Sequence, residues 1–319
     1  MNDVTDPVQA PAQVPAQAPA QVPAAQVPAQ APVRLDPRRH AFRDDIAALS
    51  LKDQVKAARY VQGELRQVVA AAAPLRYLPR FDAPLLTEVL VGDLVTVYDV
   101  EEGWGWVQSS RDGYVGYIPL DTLSSMIEDP THWMVARATF VYPTPDMKRP
   151  PIMRLSFGAE MTIIGREGRF LEMSRGGFVF IGHVQPMDER PKDYVRFAER
   201  FVGTPYLWGG RTSAGIDCSG LVQVSMQGAG LPCPRDSDMQ EAELGERLGA
   251  DALDTVKRGD LLFWRGHVGI VQSPEWLLHA SGHQMEVVVE PVLRAVERLA
   301  ATHGTVTSIR RVPGLPEQS

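Results

Sequence analysis

Across residues 75–123 the apolar positions come in short alternating runs, at 87–90, 94–98, 105–107 and 113–118. Gly92-Asp93, the stretch 101–103 and the stretch 111–113 cut between them, and strands at this spacing predict a small β-barrel. A weaker copy of the pattern spans 133–187, with runs at 157–164, 168–173 and 176–181. Beyond Pro191 the period changes, and Val195, Ala198, Phe201 and Val202 share one helical face. Residues 221–226 read as a second helix, stopped by Gly228 to Gly230, and Pro232 and Pro234 break the chain beyond it. Residues 259–272 alternate as one strand, with His267, Gly269 and Val271 on one face and Val268 and Ile270 on the other.

The first seventy residues carry less pattern. Pro, Ala and Gln alternate from Pro7 to Val33, a composition that favours a solvated, extended arm over a packed core. Asp36-Pro37 resembles an N-cap with proline at the first helical position, so a helix is expected over 38–49. Residues 54–71 have helical composition, yet Gly63 interrupts them and Val68-Val69 begin a strand-like run. The expected organisation is a disordered arm over 1–34, an N-terminal helix and linker over 35–71, β-domains over 72–128 and 129–188, and an α+β domain over 189–315.

At 319 residues and 44% hydrophobic content the chain is long enough for two or three domains with their own cores. Its net charge of -7 disfavours nucleic acid and anionic membranes as partners. The two cysteines, Cys218 and Cys233, form no disulfide framework, which suits a reducing compartment. The acidic opening Met1-Asn-Asp-Val-Thr-Asp6 is unlike a basic signal peptide, and no uncharged stretch reaches transmembrane length. A soluble, cytoplasmic protein is the expectation.

The chemistry gathers around Cys218. Asp217 is a good N-cap, so Cys218 should sit in the first turn of a helix, where free N–H groups and the dipole favour thiolate. Two histidines come later on strand-like segments, His267 and His279. A lone Cys or a lone His is ordinarily structural, but the ordered set has the form of a Cys–His hydrolase or transferase. His283 lies on the same strand parity as His279, but Ser281-Gly282 end the strand before it, so His279 is the preferred partner of His267. Cys233, held between two prolines, reads as structural.

Three phrases sharpen this reading: Tyr206-Leu-Trp-Gly-Gly210, Asp217-Cys-Ser-Gly220 and Gly266-His-Val-Gly-Ile270. In this order they resemble the NlpC/P60 cysteine peptidases over roughly residues 190–315. Gly92-Asp-Leu-Val-Thr-Val-Tyr98, Gly103-Trp-Gly-Trp-Val-Gln108 and Gly113-Tyr-Val-Gly-Tyr-Ile-Pro119 resemble a bacterial SH3 (SH3b) domain. Two SH3b-like barrels before an NlpC/P60 domain resemble the intracellular γ-D-glutamyl-diamino-acid dipeptidyl-peptidases of muropeptide recycling.

The resemblance implies an α+β chain, two small β-barrel SH3b-like domains followed by a papain-like catalytic domain. It implies Cys218 as nucleophile, His267 as base, His279 as the residue that orients it, and Tyr206 as an oxyanion-hole donor. Asp217, Ser219, Asp236 and Ser237 match positions that bind a free N-terminal L-Ala, joined by Glu88 and Tyr114 from the first SH3b domain, with Trp208 lining the cleft. The implied partner is a small muropeptide, with diaminopimelate or L-Lys as its third residue and the oligomeric state open. No cofactor is implied and no metal-ligand set is apparent. Two other readings share these motifs: an acyltransferase or amidase using the same acyl-enzyme, and a non-enzymatic binder of peptidoglycan fragments.

Overall fold

Turn glycines shape the first β-region. Gly92, at φ 91°, packs so tightly against the Glu160 carbonyl that an added Cβ would lie 2.4 Å from its oxygen. The computed structural model describes Met1 and residues 35–315, with the backbone alone for Ala250 and Asp251. The proline-rich arm expected over 1–34 otherwise lies outside the described residues.

Residues 35–315 form one compact unit. Its first β-region is a seven-stranded sheet in the order Leu85–Leu90, Ala72–Arg76, Val115–Pro119, Trp104–Ser109, Leu94–Glu101, Glu64–Val68 and Leu123–Ser124. The second holds a five-stranded sheet, Met153–Ser156, Ala138–Tyr142, Phe178–Phe180, Phe170–Met173 and Ile163–Glu167, beside a three-stranded one centred on His132–Met134. The α+β class stands, but these sheets are open where closed barrels were expected.

The segment over 35–71 also departs from expectation. No α-helix forms over 38–49. Asp36 instead caps a turn, its carboxylate accepting from the Arg38 N–H at 2.9 Å, and the chain is captured by the neighbouring sheet. Val115 N–H donates to the Arg38 carbonyl at 2.8 Å, and Gln108 Nε2 donates to that of Arg39 at 2.7 Å. Ala41, Ile46, Ala48 and Leu51 bury against Trp106 and Val115. Tertiary burial thus overrides a weak local preference. Residues 64–68, expected as linker, are a strand of the first sheet, paired with Leu94–Glu101 and with Leu123–Ser124.

The third region sets helix α2 (Cys218–Gly228) against a six-stranded antiparallel sheet. The sheet order is Glu246–Leu248, Ser308–Arg311, Asp260–Trp264, His267–Ser273, Trp276–Ser281 and Glu286–Pro291. The strand expected over 259–272 is a hairpin. Trp264 pairs with His267 across the two-residue turn Arg265-Gly266, and Gly266 adopts φ 73° there. The expected parity holds beyond the turn: Val268 and Ile270 enter the core that contains Cys218, while Val271 enters the core beneath helix α4 (Val292–His303). Helix α1 (Tyr194–Glu199) buries Val195 and Ala198, and Phe201 follows them into the same core.

Regions of the chain share cores across their boundaries. Phe157 of the second β-region lies 5.1 Å from the Phe197 ring, 5.6 Å from Trp133 and 5.9 Å from Phe201. One ion pair then fixes the start of α2. Arg235, its side chain 1% exposed, donates to both Asp217 oxygens at 2.9 and 2.7 Å. Its other N–H groups reach Ser219 Oγ at 2.8 Å, the Gly210 carbonyl at 3.4 Å and Thr87 Oγ1 of the first sheet at 2.8 Å.

Phe157→Ala should lower stability by about 3–5 kcal/mol, read as a reduced urea midpoint, because a ring is lost from a closed aromatic cluster. Arg235→Ala should cost about 3–5 kcal/mol in the same assay, since it strands the Asp217 carboxylate in a dry site.

Candidate active site

Cys218 opens α2. Asp217 caps the helix by accepting from the Gly220 N–H at 2.7 Å, and its other oxygen accepts from the Gly209 N–H at 2.8 Å. The capped turn and the glycine-rich loop before it are therefore one rigid piece. Cys218 and Asp217 line a cleft of about 260 Å³ with Tyr206, Trp208, Tyr114, Asp236 and Ser237. Arg38, Leu86, Ser219, Asp238 and Gly266 complete the wall.

Cys218 is only 7% exposed, and this works against the expected thiolate. Burial, with the Asp217 carboxylate second, pushes the Cys218 thiol up to about 12; the N–H groups of Val268 and Ser219 and the charge of Arg235 oppose this only in part. A rise from 9.0 to about 12 corresponds to roughly 4 kcal/mol against the thiolate. A helix N-terminus contributes about 1 kcal/mol, so burial wins.

His267 opens the strand after the hairpin, and the Val268 N–H beside it faces the sulfur. Burial holds the His267 imidazole well below its usual range, reinforced by His279 and by His303 and Arg298 of α4. Both groups are thus neutral at pH 7. Among the described residues no hydrogen bond joins Cys218 to His267, neither histidine lines the cleft, and the His267 ring lies among Trp264, His279 and His303. His267 Nε2 and His279 Nδ1 are 2.8 Å apart and hydrogen-bonded, and His279 Nε2 donates to Glu290 Oε1 at 2.8 Å. Arg298 holds that same carboxylate oxygen. His283 sits in the turn beyond Ser281, its N–H on Ser281 Oγ, outside this chain of bonds.

Tyr206 borders the cleft with its phenol held above its usual range, chiefly by burial and then by Cys218, so the O–H remains a donor. Trp208 stands at the rim, 70% exposed. Tyr114 reaches in from the first sheet and donates to Asp236 Oδ2 at 2.9 Å. Arg38 donates to that oxygen at 2.8 Å and also to Asp238. Burial raises the Asp236 carboxyl, while Tyr114, Arg235 and Arg38 counter it. Ser237 begins helix α3 (Ser237–Glu243) at the same wall.

Of the residues expected to bind substrate, Asp217 and Ser219 line the cleft with their polar atoms already engaged, and Glu88 is not on its wall. Asp217 borders the cleft, but its oxygens are spent on the cap, the Gly209 loop and Arg235. Ser219 likewise bonds Arg235 and Asp217. Glu88 does not reach the cleft. The Arg211 N–H donates to its Oε2 at 2.9 Å and Arg211 Nη1 to its carbonyl at 3.2 Å, so the loop after Gly209 occupies that strand edge. Sequence reasoning missed Glu290, Arg298 and Arg38. Glu290 lies opposite Leu277, two positions along from the partner of His279, a placement visible only once the strand register is known. Arg38 was hidden by the expected helix. Cys233 is buried, its thiol near the Pro234 carbonyl and Gln240, away from the cleft.

Among the described residues no helix is long and apolar enough to cross a membrane. Residues 203–299 match the NlpC/P60 family, and residues 75–123 match the bacterial dipeptidyl-peptidase Sh3 domain. Dipeptidyl-peptidase 6 of Lysinibacillus sphaericus is 26% identical over 249 residues, covering 69% of this chain and 89% of that protein. The γ-D-glutamyl-L-lysine dipeptidyl-peptidase of Bacillus subtilis is 29% identical over 235 residues, covering 65% of this chain and 76% of that protein. The crystal structure of an NlpC/P60 family protein from Bacillus cereus superposes with a TM-score of 0.66 at 18% identity, covering 79% of this chain and all of that one, a likeness of fold. Two parts of the chain thus match known families, residues 203–299 the NlpC/P60 family and, before them, residues 75–123 the bacterial dipeptidyl-peptidase Sh3 domain.

Proposed function

We propose that this chain hydrolyses the γ-D-Glu–diamino-acid amide of short peptides bearing a free N-terminal L-Ala, releasing L-Ala-γ-D-Glu in cytoplasmic recycling of cell-wall peptides. The observation that carries the reading is the Tyr114–Asp236 hydrogen bond of 2.9 Å. It brings a residue of the SH3-like sheet onto the cleft wall beside Cys218 and leaves a carboxylate there to meet an ammonium. In the free protein the Arg38 guanidinium takes that role, so a substrate amine would share or displace it. Both cysteines are free, in keeping with a reducing compartment.

The chemistry follows from two neutral partners. As Cys218 Sγ attacks the amide carbonyl, its proton passes to the His267 imidazole. The tetrahedral oxyanion is met by the Tyr206 O–H. The C–N bond then breaks and His267 returns the proton to the leaving amine. Water, deprotonated by the same imidazole, hydrolyses the acyl-enzyme and regenerates the thiol.

The test is mass spectrometry of products from L-Ala-γ-D-Glu-meso-diaminopimelate, its L-Lys counterpart and their N-acetylated analogues. Cleavage of the free-amine peptides is expected, with the acetylated ones slower by about a hundred-fold, in line with loss of one buried charge pair. Equal cleavage of both sets would sink the dipeptidyl-peptidase reading, and cleavage of none, or transfer to an acceptor other than water, the hydrolase. Cys218→Ala should lose several decades of rate.

The pH profile has a defined sign. The base must be unprotonated, and the His267 imidazole lies below 6.5, so kcat/KM should hold flat from pH 7.5 to 6.5 and fall about tenfold per unit only below its own pKa. An acid limb centred above pH 7 would show that a different group is the base.

A further inference from the structure

We propose that Glu290 is a positioning residue that sets the tautomers of both histidines and so leaves Nδ1 of His267 without a hydrogen, the state a base needs. This rests on the peptidase reading above. The Glu290 carboxylate is held ionised by the hydrogen bond from His279 and by Arg298. A carboxylate only accepts, so at 2.8 Å the hydrogen must lie on His279 Nε2. A neutral ring carrying that hydrogen has its lone pair on Nδ1. The 2.8 Å bond between the rings then requires His267 Nε2–H to donate to it. That leaves Nδ1 of His267 without a hydrogen, and no hydrogen bond among the described residues engages it. Without a fixed acceptor at the far end, each imidazole is free to take either tautomer, and the wrong one puts a hydrogen where the base must be.

The surroundings support this assignment. The groups around the His267 ring are His279 on the next strand, Trp264 across the hairpin, and His303 and Arg298 on α4. Among the described residues Glu290 is the one carboxylate hydrogen-bonded into this chain of rings, and Arg298 from α4 anchors it. Sequence placed His279 as the end of the relay; the geometry extends it by one residue to an anionic terminus.

Long-range ¹H–¹⁵N spectra of the histidine rings in the full chain read the tautomers directly, without substrate. The expected result at pH 7.5 is a hydrogen on Nε2 and none on Nδ1 for both His267 and His279. In Glu290→Gln the same spectra should show mixed tautomers. In that variant kcat should fall roughly ten- to a hundred-fold, the range for outer partners that orient a working imidazole at one remove in metal sites, with KM little changed. The acid limb of kcat/KM should also move to lower pH, because the imidazolium loses its carboxylate neighbour. A hydrogen on Nδ1 of His267 in the native chain would overturn the assignment. So would a Glu290→Gln variant whose tautomers and acid limb match the parent. Failure of the peptide to be cleaved bears on the activity; the tautomer measurement stands apart from it.

Discussion

The buried pair between Arg235 and Asp217 is the constraint on which the rest of the site depends. All five N–H groups of the guanidinium are satisfied, and they reach three separate pieces of chain: the cap of α2, the glycine loop and the strand that carries Thr87. Bringing both charges out of water is costly, and only such complete pairing offsets it. The pair therefore ties the start of α2 to the first sheet through Thr87. Domains that make only incidental contact have no need of a fully satisfied arginine between them.

The same dryness decides the proton inventory. An exposed helix start would have favoured the thiolate. Burial instead favours a neutral thiol and a neutral imidazole, and Arg298 of α4 deepens the effect on His267. In the proposed mechanism charge develops only when a substrate carbonyl receives the sulfur, and burial keeps the Tyr206 phenol a donor for it. The two-histidine chain ending on Glu290 gives the developing imidazolium an anionic neighbour two hydrogen bonds away.

The first β-region is part of the cleft in the literal sense that Tyr114 and Leu86 are on its wall. The segment at 35–41 adds Arg38, turned in by hydrogen bonds to the same sheet. Charge holds the regions to one another elsewhere as well. Arg111 bonds buried Asp93 and lies 3.1 Å from Glu160, which Arg190 also approaches at 3.4 Å. A cleft assembled from several regions needs such clamps, because its shape is lost if any one of them shifts by an ångström.

Much of this was legible in the sequence. The strand runs of the first β-region, the Asp217 cap, the start of α2 and the face shared by Val268 and Ile270 follow from local period and local hydrogen-bonding chemistry. Those forces act within a few residues and leave their mark on the order of residue types. The helix expected over 38–49 failed because its apolar residues found a better surface on Trp106 and Val115 than on one another. Glu88, written into a strand facing the right region, was taken by the Arg211 backbone instead. Glu290 became legible only with the register that sets its strand against that of His279. The order of residue types dictated which groups could react and which elements would bear them. Their protonation and their neighbours were settled by the folded chain, because burial and strand register arise where segments far apart in sequence meet in space.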